Sequence, residues 1–190
     1  MKVFGIDPGS ERTGFGCVDS DGHRHRLVRC GAITAGSGVA FADRLGTIYR
    51  GLVGELDACR PDCVAIENLF YATNVRSALK LGHARGVAML AAVECGVPVL
   101  EYTPAEIKRA VVGYGRAEKA QVQQMVKLLL GLERVPSPHD AADALAVAIC
   151  HLHQSGRIGE AAAGTDVPAL RATGAASAPR TWRQYRPPTR

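Results

Sequence analysis

Four carboxylates stand where an acid is unusual. Asp7 closes an apolar run, Val3-Phe4-Gly5-Ile6, and Pro8-Gly9 turns the chain away from it. Glu67 closes a second apolar run, Cys63-Val64-Ala65-Ile66. Asp140 and Asp143 follow Ser137-Pro138-His139, and their i, i+3 spacing puts both on one face of a helix's first turn. Acids crowded together repel one another and raise each other's pKa. A hard divalent cation relieves that repulsion, and oxygen ligands with open positions suit Mg²⁺ or Mn²⁺ held between carboxylates and substrate phosphates. Two such ions about 4 Å apart activate a water and stabilise the leaving oxygen of an in-line phosphodiester displacement. Each acid also has an ordinary role. Asp-Pro-Gly is common turn chemistry. Glu67 can cap the loop after its strand, Asp140 favours a helix dipole, and Asp143 can pair with an arginine. One at a time, the ordinary roles are at least as good. Jointly they require four independent coincidences at one sheet edge.

The elements that must bring these acids together are readable in order. Strands are predicted over 2–7, 13–19 and 23–34, the last two joined by the turn signal Asp21-Gly22. A helix over 40–58 carries Leu45, Ile48, Leu52 and Leu56 at helical spacing. The short strand 63–67 follows. Asn74 caps a long helix over 75–94, and a strand over 98–102 comes next. Thr103-Pro104-Ala105-Glu106 is a capping box that starts a short helix. Further helices are predicted over 117–130 and from Ser137 onward, with Ser137 as cap, Pro138 at the first helical position and Asp140 at the third. This order makes an α/β fold, a five-stranded mixed sheet of three antiparallel and two parallel strands flanked by helices. If strand 63–67 lies beside the first strand, Asp7 and Glu67 are neighbours, and the last helix brings Asp140 and Asp143 to the same edge. Gly14 and Gly16 inside the second strand imply close approach of another backbone or of a ligand.

Composition bounds the setting. The chain has 190 residues, 47% of them hydrophobic, enough for one core. Residues 1–154 form the expected domain. Residues 155–190, rich in Ala, Gly, Pro and Arg, read as a disordered basic tail. No apolar run approaches the ~20 residues of a membrane span, and the N-terminus lacks the longer apolar stretch of a signal peptide, so a cytoplasmic protein is expected. The six cysteines sit mostly among apolar residues and read as reduced structural thiols. His23 and His25 flank a turn and read as solvated. The net charge is +5, unevenly spread: residues 76–134 carry nine Lys or Arg against five acids, whereas residues 1–75 are near neutral. An anionic partner is drawn to the middle of the chain and the tail.

Gly5-Ile6-Asp7-Pro8-Gly9, Ala65-Ile66-Glu67, Ser77-Ala78-Leu79-Lys80-Leu81-Gly82-His83-Ala84-Arg85-Gly86, Val111-Val112-Gly113, Ala117-Glu118-Lys119 and Asp140-Ala141-Ala142-Asp143-Ala144-Leu145 occur in this order. In these segments, over about residues 1–153, the sequence resembles the RuvC-type Holliday-junction resolvases. The resemblance implies an RNase H-like fold and a homodimer. It also implies paired, symmetric nicking of four-way DNA junctions in bacterial recombination and repair, dependent on Mg²⁺ (two ions per site, Mn²⁺ substituting) and leaving 5′-phosphate and 3′-hydroxyl ends. On it, Asp7, Glu67, Asp140 and Asp143 fall on the family's catalytic, metal-holding acids. Phe70 falls on an aromatic that meets junction bases, and Lys108 and Lys119 on basic residues near the DNA, Lys119 counted with the catalytic set. The resemblance gives the metal role to Asp140 and implies for the neighbouring His139 a candidate assisting role. The partners implied are four-way junction DNA, a second copy of the chain and the RuvA–RuvB branch-migration complex, in the nucleoid and without membrane attachment. From the residues themselves, Arg76, Lys80 and Arg116 are further DNA contacts, with a solvated basic face as their ordinary role. Gly82 and Gly86, four apart on the long helix, mark a candidate subunit interface.

Three other readings compete. A sugar-kinase or actin-type phosphotransferase also opens on an Asp-x-Gly turn, but needs a second such domain. An RNase H-like nuclease acting on ribosomal RNA shares the acids, but the Phe70 loop and the Lys119 region argue against it. A non-catalytic DNA-binding module has no use for four converging acids.

Overall fold

The computed structural model describes residues 1–68 and 74–163, with side chains of the last helix described as far as Ser155. The three N-terminal strands, β1 (Lys2–Asp7), β2 (Arg12–Ser20) and β3 (His25–Thr34), form the antiparallel meander. Helix α1 (Phe41–Cys59) leads into β4 (Cys63–Glu67). Helix α2 (Val75–Glu94) then leads into β5 (Val99–Tyr102). Both crossovers return the chain parallel to its neighbour, giving a sheet in the order β3-β2-β1-β4-β5. The chain ends in α3 (Pro104–Val112), α4 (Lys119–Leu129) and α5 (His139–Ala163).

β1 and β4 are apolar on both faces because both faces are covered. One face meets Ile48, Leu52 and Leu56 of α1 and the small residues Ala84, Ala88, Ala91 and Ala92 of α2. The other meets α5, which is buried on every side from Ala144 to Cys150 because α3 and α4 cover its far side. An all-round apolar helix is what such a central position demands.

The glycines of β1 and β2 settle what comes close to them. A Cβ at Gly5 would stand 1.9 Å from the Ala144 carbonyl oxygen, and one at Gly14 would stand 2.0 Å from that of Asp140. At Gly16 the nearest atom, a Leu145 methyl carbon, would be 2.6 Å away. The partner is the α5 backbone, laid directly on the sheet.

Four boundaries differ by two residues or more from those the residues suggest. β3 starts at His25 because the Asp21 side chain accepts the N–H groups of His23 and Arg24 at 3.0 and 2.8 Å and prolongs the turn. α4 starts at Lys119, since Glu118 is its cap and donates its N–H to the Gln121 side chain at 2.9 Å. α5 starts at His139, with Pro138 before the helix accepting the Ala141 N–H, so Asp140 is the second helical residue and not the third. At its other end α5 continues to Ala163, beyond residue 154, across Gly156 and Gly159 to the alanine run at 161–163. Residues 164–190 of the tail lie outside the described residues. His25 is half-buried rather than solvated: Nδ1 is 2.9 Å from the Ser20 hydroxyl, and the ring packs on His153. All six cysteines are free thiols.

Candidate active site

Parallel pairing of β1 with β4 in the register Ile6 to Ile66 makes Asp7 and Glu67 the next residues out on adjacent strands. Both strands run the same way, so both carboxylates emerge at the same sheet edge. α5 starts over that edge because Gly14 admits its first turn, which carries Asp140, and Asp143 follows three residues on along the same face. The four acids thus converge from three elements.

The electrostatics carry the mark of crowding. Burial, followed by the charges of Glu67, Asp143 and Asp140, pushes the Asp7 carboxyl up to about 8, with Lys119 opposing. Glu67 is raised as well, by burial first and then by Asp143, while a hydrogen bond with Asp7 and the charges of Lys119 and Lys108 act the other way. A hydrogen bond between the two carboxyls favours the ionised form of Glu67, while their mutual repulsion raises Asp7.

Two lysines face this charge. Lys119, the first residue of α4, is ion-paired with Asp143. Partial burial pulls its ammonium down, but the hydrogen bond it donates to Asp143 and the charges of Asp143, Asp7 and Asp140 outweigh that, so it is raised and fully charged. Lys108 of α3 is near enough to Glu67 to favour its ionised form. Arg12, at the start of β2, pairs with Asp140 at 3.5 Å. Sequence reasoning misses Arg12. Its signal is the spacing of two from Gly14, which puts both residues on the β2 face that receives α5.

Other expected residues stand apart. Arg76 and Lys80 are exposed on the first two turns of α2, Arg116 is exposed in the loop before α4, and His139 is exposed at the head of α5. None is among the charges that act most on Asp7, Glu67 or Lys119. Phe70 lies outside the described residues.

Among the described residues no three His, Cys, Asp or Glu side chains form a closed ligand set. The donors nonetheless suit a hard cation. They are all carboxylates, they gather on one edge, and the raised Asp7 marks negative charge that the two lysines leave uncompensated.

Comparison with known proteins gives a consistent result. Residues 3–151 match the family model described as "Crossover junction endodeoxyribonuclease RuvC". The chain is 53% identical over 155 residues to the protein of that name from Caldanaerobacter subterraneus subsp. tengcongensis, covering 82% of this chain and 94% of the relative. Against that of Alkaliphilus oremlandii it is 54% identical over 153 residues, covering 80% and 93%. Among solved structures it resembles Thermus thermophilus RuvC in complex with Holliday junction substrate, at TM-score 0.79 and 38% identity over 84% of this chain and 96% of the other.

Proposed function

This chain belongs to the RuvC family of crossover junction endodeoxyribonucleases, with the RNase H-like fold of that family, and on that basis we propose how its site works. It is an endonuclease that resolves Holliday junctions. The observation that carries the mechanism is the meeting of Asp7 and Glu67 on adjacent parallel strands with Asp140 and Asp143 of α5. The family's nucleases are metal-dependent. In our reading Asp7, Glu67, Asp140 and Asp143 hold Mg²⁺, two ions per site, with Mn²⁺ able to substitute. Bound there, the ions supply an activated water and a stabilised leaving oxygen for in-line displacement, which leaves 5′-phosphate and 3′-hydroxyl ends.

The remaining steps belong to the chain's own groups. Asp7 and Glu67 would hold the cation as carboxylates, since only the ionised form is a ligand. Lys119 keeps a full positive charge beside Asp143, where the scissile phosphate would lie, and Lys108 adds a second charge by Glu67. Arg76, Lys80 and Arg116 are exposed and free to take backbone phosphates, which position the DNA without reading its sequence. Phe70 is assigned to junction bases and His139 to an assisting role on the resemblance alone.

A second copy of the chain completes the enzyme. α2 exposes Val75, Leu79, Leu90 and Val93, and their spacing with Gly82 and Gly86 makes one stripe along the helix. A Cβ at either glycine would meet nothing within 4 Å, so another backbone can come close there. Such a stripe supports a two-fold interface. Family membership supports a partnership with the RuvA–RuvB branch-migration complex and a place in the bacterial nucleoid as parts of the same reading. Among the described residues no helix is long and apolar enough to cross a membrane. The ribosomal-RNA alternative has no support from the family match.

The test is nicking of a synthetic mobile four-way junction, mapped to the nucleotide, with and without Mg²⁺. Symmetric paired nicks that disappear with chelator are expected. Cleavage that survives chelation, or that is equal on plain duplex, overturns the reading.

A further inference from the structure

Arg12 has no part in the mechanism above, yet it touches one of the four acids: its Nη1 lies 3.5 Å from Asp140 Oδ2. The strand dictates the meeting. Arg12 and Gly14 share one face of β2, because side chains alternate along a strand. Gly14 lies against the Asp140 backbone, so a side chain two residues earlier on that face runs along the head of α5. Its base is held as well. The Thr13 hydroxyl donates to the Gly9 carbonyl at 2.8 Å and accepts the Gly9 N–H at 3.3 Å, which locks the turn from which β2 departs.

The contact is loose. The Arg12 side chain is 51% exposed and that of Asp140 30%. A single approach at 3.5 Å is longer than the ~2.7–2.9 Å of a strong charge-assisted hydrogen bond. Exposed pairs of this kind stabilise a fold very little, so this one is no structural staple. A guanidinium held so lightly exchanges readily for a phosphate, whose oxygens match its fork two at a time.

We propose that Arg12 is a positioning residue that occupies Asp140 in the free protein and exchanges it for a backbone phosphate when DNA arrives, which releases Asp140 for the cation. The inference rests on the nuclease reading of the same site. Its consequence is coupling: DNA strengthens cation binding through Arg12, and by linkage the cation strengthens DNA binding by the same factor.

The experiment titrates the full chain with Mn²⁺ in the absence of DNA and follows the free ion by electron paramagnetic resonance. Arg12→Ala should bind Mn²⁺ about threefold more tightly than the unaltered chain, the scale of one exposed ion pair. Arg12→Lys should stay within about twofold of the unaltered chain. On an Asp140→Asn background, Arg12→Ala should change nothing, since the effect runs through that carboxylate. In parallel, the salt dependence of four-way junction binding should lose about one unit of slope in Arg12→Ala. Unchanged or weaker Mn²⁺ binding in Arg12→Ala overturns the proposal, as does a gain that persists with Asn at position 140 or an unaltered salt slope. Failure of the nuclease reading looks different: the unaltered chain itself would show no preference for junction over duplex, whatever the Mn²⁺ ratios.

Discussion

At the scale of the residue, Asp7 carries the clearest physical signature of the site. Its carboxyl keeps a proton up to about pH 8 in the folded chain but only to about 3.8 in the ordinary reference state, because burial and then Glu67, Asp143 and Asp140 oppose its charge. Between those values the folded state holds more protons than the unfolded one, so stability falls as pH rises through the window. Asp7→Asn removes the charge and keeps the shape. In chelator, it should melt with the unaltered chain near pH 4 and above it by ~5 °C at pH 8. That corresponds to ~2 kcal/mol, well short of the full shift because the carboxyl is partly open to water. Junction binding should persist while nicking is lost. A variant less stable than the parent at pH 8 would mean that the acids are not in surplus, and the argument for a cation would fall with it.

At the scale of the element, the site is as precise as the seat of α5 on β2. Gly14→Ala tests that seat. A Cβ there meets a backbone oxygen, which cannot rotate away, so the first turn of α5 must lift. Overpacking of this kind costs ~1–3 kcal/mol. Asp140 rides on the lifted turn and Asp143 directly follows it, and a misplacement of ~1 Å in a catalytic site can cost about 100-fold in rate. Denaturant midpoint and single-turnover nicking, measured together, should show a modest loss of the first and a large loss of the second. Equal proportional losses would count against a positional effect. The same seat explains what the sequence makes legible. β1 and β4 are short, apolar from Val3 to Ile6 and from Cys63 to Ile66, and closed by an acid, so their burial and the place of Asp7 and Glu67 at the strand ends follow from the residues alone. The capping box at Thr103 and the Asn74 cap are written locally and reappear as hydrogen bonds. What Gly14 and Gly16 admit is not local. A glycine states that something comes close, and only the packed α5 says what. For the same reason Arg12 reads as one more surface arginine until Gly14 and Asp140 are seen in contact. The turn through Arg24 hides because it is set by a side-chain bond from Asp21 rather than by a residue preference.

At the scale of the whole molecule, the question is how two cuts are made. All four acids and Lys119 come from one chain, so the proposed charge cluster takes no residue from a second copy. If the exposed stripe of α2 joins two copies about a two-fold axis, the dimer presents two autonomous sites with the symmetry of a four-way junction. A dimer with one Asp7→Asn protomer should then bind the junction normally and cut one strand only. On a plasmid that extrudes a cruciform, the parent dimer gives a linear product because both strands are opened in one encounter. The mixed dimer, purified through two different tags, should give nicked circles instead, at about half the parent's rate of first nicking, since half the sites remain. Linear product at the parent's yield would mean that one site makes both cuts. Absence of any product would mean that the sites depend on each other. Either result would break the picture of two self-sufficient charge clusters held apart by α2.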